Sequence, residues 1–211
     1  MGVYSGPITF RRFQVIGDLP DGFRDQYLDA IARRAHREID PASEDERSWG
    51  WVCVGDILDL DFIHDKLLVG DYYLLQLRVD TLKIPPTALK IHLQHAEKEF
   101  RKALGREKLS KADKEDVRDR VVKALRKRVL PGVKGFDVAW NIKTGVVRLW
   151  THDKTVGDLF QELFVDTFGL RIVARTAFTA LEWLDVPAGS QDEALKQPEA
   201  DFVGITERRA A

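Results

Sequence analysis

Cysteine is almost missing: one residue, Cys53, occurs in 211. No internal disulfide can form from it, and a zinc site built on paired thiolates is excluded. Within the apolar run GWVCVG it is expected to be a buried structural thiol. Long hydrophobic runs are also missing. The richest stretch, LLVGDYYLLQL, is interrupted by Gly70, Asp71 and Gln76, short of the roughly 18 apolar residues of a membrane-crossing helix. The first residues, MGVYSGPITFRRF, lack the basic-then-apolar order of a secretory signal. A cytoplasmic protein with no membrane partner is therefore expected. No Gly-rich phosphate loop, nucleophile elbow or catalytic-triad pattern is present either.

What the chain does have is 44% hydrophobic residues, enough for a sizeable core, and a lopsided distribution of charge. The net charge is only -1. Between residues 40 and 71, however, nine acids face two bases, Arg47 and Lys66, and between residues 97 and 134 fourteen bases face seven acids. Such sign asymmetry points to an interaction surface.

Periodicity places these blocks on elements. ITFRRFQVIG (8–17) reads as a strand with a bulge near its arginine pair. DGFRDQYLDAIARRAHREI (21–39) reads as a helix with Phe23, Tyr27, Ala30, Ile31 and Ala35 on one stripe. A polar loop (41–50) follows, then short strands at WVCVG and ILDLDF, and a longer strand over 72–84. Pro85 and Pro86 stop that strand and open a helix. Its stripe is Leu89, Leu93, Ala96, Phe100 and Leu104, and Gly105 suits its C-terminal cap. Ser110 with Asp113 has capping-box spacing before a second helix whose stripe is Val117, Val121, Ala124, Leu125 and Val129. The short link REKLS makes the two an αα-hairpin. After Pro131 the period changes to 2: FDVAWNIKTGVVRLW reads as a β-hairpin turning at KTG. A helix over KTVGDLFQELFVDTFG and a closing strand, LRIVART, follow. These elements predict an α+β protein: mixed or antiparallel sheets with packed helices and a projecting basic two-helix arm at about 86–131. Residues 1–185 form the folded region, and the polar tail 186–211 is expected to be flexible.

The arm carries the functional reading. On a helical wheel Arg120, Lys123, Arg126 and Lys127 should face solvent, while Lys114, Arg118 and Arg128 project nearer the apolar stripe. From Arg120 to Lys134 no acid intervenes, so pairing within the helix does not neutralise the cluster. A helix dipole accounts for one or two bases at its C-terminus, whereas a phosphate backbone rewards a whole cluster through counterion release. The candidate DNA contacts are Lys98, Arg101, Lys102, Arg106, Lys108, Lys111, Arg120, Lys123, Arg126, Lys127, Arg128 and Lys134. The same pattern also fits a solvated helix face with i,i+4 pairs, or an arm that docks an acidic protein.

The run LQLRVDTLKIPP, the two-helix arm EKEFRKALGREKLSKADKEDVRDRVVKALRKRVLP, and the segments FDVAWNIKTGVVRLW, KTVGDLFQELFVDTFGL and RIVA, with the earlier WGWV, resemble the bacterial recombination-associated protein RdgC family. The likeness spans roughly residues 8–180. It implies a dimer that binds DNA without sequence preference and restrains RecA-type recombinases, with the basic arm meeting phosphates. Family members form rings and continue through a further C-terminal region, so this chain reads as a short, C-terminally truncated relative. Where the family has an aromatic after the arginine that ends the arm, this chain has Val129 and Leu130, so no contact of that aromatic carries over.

Catalytic readings are weaker. DLDFIHD offers Asp59, Asp61, His64 and Asp65 as hard-cation ligands, for a metal-dependent nuclease, but no lysine at nuclease spacing accompanies them and an acidic strand edge explains them. His92, His95 and Glu99 share helical spacing and read as boundary residues. Among the tryptophans, Trp140 reads as core, Trp49 in the acidic loop is badly placed for a polyanion, and Trp150, beside Arg148 and His152, is retained as a base-stacking candidate. The expectation is a non-enzymatic protein without metal or cofactor. Its expected partners are double-stranded DNA, single-stranded DNA as a secondary form, and a second copy whose arm meets the acidic block. Its expected location is the nucleoid.

Overall fold

The computed structural model describes residues 2–4, 9–176, 179, 189, 190, 193 and 196. Trp183, Ile8 and most of the tail from 186 lie outside the described residues. The elements run β1 (Arg11–Ile16), α1 (Phe23–Arg33), β2 (Arg47–Val52), α2 (His64–Leu67), β3 (Leu68–Val69), β4 (Tyr72–Thr81), α3 (Pro86–Leu104), α4 (Lys111–Arg126), β5 (Gly132–Asn141), β6 (Val146–Leu149), α5 (Lys154–Phe168) and β7 (Arg171–Ala174). The strands form one antiparallel sheet in the order β2-β4-β5-β6-β1-β7, with β3 paired to β4. The protein is α+β.

Alternation along the strands puts one set of side chains on each face. Phe13, Trp51, Tyr73, Leu75, Leu77, Trp140 and Val147 point to the face covered by α1 and α5, where they meet Tyr27, Ile31, Phe160, Phe164 and Phe168. Trp140 is the hub: its ring centroid lies 5.2 Å from that of Phe168, 5.3 Å from Phe164 and 5.8 Å from Tyr73. Such aromatic pairs add to the stabilisation from buried area. The indole N–H of Trp51 donates to Thr167 Oγ1 at 2.8 Å, which locks α5 onto β2.

Cys53 is buried, as its apolar neighbours led one to expect. Burial pushes its thiol up to about 11, and the nearby Asp59 carboxylate adds to the shift. Only the thiolate attacks. The native protein should therefore react with a disulfide reagent at pH 8 at least about 100-fold more slowly than the urea-unfolded chain, read as the thiol-release rate.

Three sequence expectations are corrected. The helix α1 ends at Arg33 because the next residues fold back on the sheet edge: Trp51 N–H donates to the Arg34 carbonyl at 3.0 Å and His36 N–H to the Trp51 carbonyl at 2.9 Å. Ala35 thus belongs to a parallel bridge with Trp51, not to the helical stripe. Gly50 permits this approach, since a Cβ there would lie 2.5 Å from the His36 Cα. ILDLDF is not a strand. Asp56 and Asp59 side chains accept the N–H groups two residues on, from Leu58 at 2.9 Å and Asp61 at 2.8 Å, and these Asx turns compete with extended pairing. Finally, β1 pairs with β6 continuously through Arg11 and Arg12, so no bulge forms there.

The strands β4 and β5 pair along their whole length, from Tyr72 with Asn141 to Thr81 with Gly132. The two-helix arm is therefore the connection of a β-hairpin, inserted at its open end.

Candidate nucleic-acid interface

Local signals build the arm. Pro86 sits in the first turn of α3, and Gly105 closes the helix at φ 60°, a left-handed cap that glycine adopts without a Cβ penalty. Ser110 and Asp113 form the reciprocal capping box at the start of α4. The hydrogen bonds from Ser110 hold the Asp113 carboxyl below the usual carboxylate range. At 1.5 Å per residue, the 19 residues of α3 give the arm a length of about 28 Å. It is thin: α3 has no buried residue, Leu89, Leu93, Ala96 and Phe100 are half-buried, and α4 buries Val117 and Leu125.

Two basic patches result. At the tip, Lys98, Arg101, Lys102 and Arg106 line a shallow hollow of about 580 Å³ with Glu107, and Arg101, Lys108 and Lys114 line a smaller one of about 220 Å³ beside it. Near the base, Lys123, Lys127, Arg128 and Lys134 are all exposed, as is Lys111 at the start of α4. Among the described residues none of these bases forms an ion pair except Lys102, with Glu99 at 3.2 Å. Arg120 is exposed but paired with Asp116 at 2.6 Å. Both are surface i,i+3 or i,i+4 pairs, which a phosphate readily displaces.

Arg126 departs from the wheel expectation. It is buried and turned from solvent toward the acidic loop, donating from Nη2 to the Asp45 carbonyl at 2.6 Å and from Nε to the Pro41 carbonyl at 3.4 Å. A wheel places a residue relative to its own helix; the covering loop here comes from a segment more than 80 residues earlier. Arg126 therefore anchors the arm's base to the body, and the acidic loop it holds is met through main-chain oxygens.

The remaining candidates separate from this surface. Lys66 Nζ sits between Asp59 Oδ2 at 2.8 Å and Asp61 Oδ2 at 3.1 Å, where a cation would have been placed, and its hydrogen bond holds the Asp59 carboxyl low. The sequence reading missed this lysine because it enters from the short helix α2. His64 Nε2 pairs with Asp25 at 3.0 Å, and His92 and His95 are exposed on α3. Among the described residues no three His, Cys, Asp or Glu side chains are grouped to hold a metal. Trp49 lies on β2 rather than in the preceding loop, half-buried in a cleft of mixed charge where Arg33, Arg37 and Arg47 stand with Asp45, Glu162 and Asp166. Trp150 lies beside the middle of the β4–β5 ladder, its main-chain N–H donating to the Asp137 carbonyl at 3.0 Å, and is packed on Phe10 at 5.5 Å.

No helix among the described residues is long and apolar enough to cross a membrane. The chain matches no protein-family model, and no curated protein matches it significantly.

Proposed function

We propose that the arm binds duplex DNA without sequence preference, through lysine and arginine contacts to phosphates, and that the protein is an architectural or recombination-modulating factor of the nucleoid rather than a catalyst. The observation that carries the reading is the pair of exposed, largely unpaired basic patches at the two ends of a projecting rod. The rod length of α4, 16 residues or about 24 Å, matches the rise of roughly seven base pairs. The resemblance of the arm and its flanking strands to the RdgC family supports the same reading and extends it to a homodimer that presents two arms.

The test is titration of random-sequence duplex at several salt concentrations. It compares the native chain with a variant carrying Lys123→Gln, Lys127→Gln, Arg128→Gln and Lys134→Gln. Arg126 is left in place because it holds the loop. The native protein should give a steep log–log salt dependence, and the variant a slope shallower by about 0.9 for each phosphate it no longer neutralises. If the native protein does not bind duplex at low salt, the arm serves an acidic protein partner and the DNA reading falls.

A further inference from the structure

The sheet face turned away from α1 and α5 holds a groove of about 540 Å³ along the half of β4 and β5 far from the arm. That is the size of small-ligand sites. Its walls are apolar and aromatic: Phe10, Tyr72, Leu74, Ala139 and Trp150 line it. One cation stands among them. Arg148 Cζ lies 5.7 Å from the ring centroid of Phe10 and 5.9 Å from that of Tyr72. Its Nη1 reaches the Tyr72 hydroxyl only at 3.5 Å, and among the described residues it enters no ion pair.

We propose that this groove binds a small, flat aromatic anion, an aryl carboxylate by chemical class, with Arg148 as the anion anchor. A guanidinium has five donors in a planar fork, and among the described residues the one acceptor that meets Arg148 is the Tyr72 hydroxyl, at 3.5 Å. A carboxylate supplies a bidentate, charge-matched partner, and an attached ring stacks against the Phe10, Tyr72 and Trp150 walls. The groove is closed on one side by residues 2–4, which Asp137 holds by accepting the Val3 N–H at 2.8 Å. That wall bounds the ligand's length and favours a compact molecule over an extended chain. The site is independent of DNA binding by the arm, which joins the ladder beyond the Thr81–Gly132 pair while the groove reaches no nearer to it than the level of Asp137.

Calorimetric titration of the full chain with 2-naphthoate and with its neutral isostere 2-naphthamide tests the assignment. Saturable one-to-one binding of naphthoate is expected, with naphthamide weaker by about tenfold or more, the scale of a charged hydrogen bond. Arg148→Gln should bring naphthoate down to the affinity of the amide. Because that variant also removes a packed side chain, Val69→Trp supplies a second reading. Val69 is 49% exposed at the groove rim, so the larger residue should fold normally, obstruct the groove and weaken both ligands while Arg148 remains. The proposal is overturned if the native chain shows no saturable naphthoate binding. It is equally overturned if the amide binds as tightly as the acid, or if folded Val69→Trp binds naphthoate as tightly as the native chain.

Discussion

Replacement of residues 83–131 by Asn-Gly-Thr should give a folded protein that no longer retains duplex DNA. The argument is topological first. Thr81 and Gly132 are already partners in the ladder, so the arm can be exchanged for a four-residue loop, Leu82-Asn-Gly-Thr, closing on that pair, a length common in hairpins. The helix α3 contributes no buried residue, and Val117 and Leu125 of α4 are removed together with the arm they stabilise. Leu82, buried at the strand end and donating its N–H to the Glu46 carbonyl at 2.9 Å, is kept. The main loss is the Arg126 hold on the acidic loop, worth about 2–3 kcal/mol at the scale of charged hydrogen bonds. The electrostatic consequence is larger. The excised segment contains fifteen bases and seven acids, so the net charge falls from -1 to -9, and what remains repels a polyanion. Circular dichroism and a urea melt check folding; a duplex titration at low salt checks binding. A folded truncation that binds within about tenfold of the native chain would place the DNA surface elsewhere, whereas the four-glutamine variant distinguishes the base patch from the tip.

Much of this arm was legible because its signals are local. Pro85-Pro86, Gly105, the Ser110–Asp113 box and the three-and-four spacing of Leu89, Leu93, Ala96 and Phe100 all act within a turn or two of the helix they define. The turn before β6 and the Gly169 cap of α5 were legible for the same reason. Long-range partners were not. The sheet order, which places β1 between β6 and β7, depends on which hydrophobic faces meet, and periodicity carries no address for the partner. The candidate site divides along the same line. Exposure of Lys123 and Lys127 follows from their angle to Val121 on one helix, but burial of Arg126 is set by Pro41 and Asp45. Lys66 between two aspartates, and Arg148 over the rings of Phe10 and Tyr72, likewise join separated segments. ILDLDF misled because alternation of apolar and polar residues suits both a strand and a chain of Asx turns; the aspartate side chains chose the second.

Asp80→Asn should cost about 3–5 kcal/mol of folding stability, the largest loss expected from a single substitution outside the aromatic core. Asp80 is buried and takes the Arg78 guanidinium in a two-pronged grip, Nε to Oδ1 at 2.9 Å and Nη2 to Oδ2 at 2.8 Å. Arg78 Nη1 also donates to the Ile57 carbonyl at 3.3 Å, and His36 Nε2 stands 3.4 Å from Asp80 Oδ2. Removing the negative charge leaves a buried guanidinium without compensation, which is the costly way to break such a pair; replacing both partners by apolar residues avoids it. Arg78→Leu with Asp80→Leu should accordingly recover most of the stability lost in Asp80→Asn. The cluster also sets a pH dependence. Burial chiefly holds the His36 imidazole below its ordinary 6.5, with Arg78 adding to the depression and Asp80 and Glu38 opposing it. The unfolded chain therefore takes up a proton that the folded chain resists. The stability linked to His36 is present above about pH 6.5 and declines as pH falls toward the lowered folded value, so His36→Gln should flatten the decline in urea-melt stability between about pH 7 and 5.5. If Asp80→Asn lies within about 1 kcal/mol of the native chain, the carboxylate is not the counterion on which this end of the sheet depends.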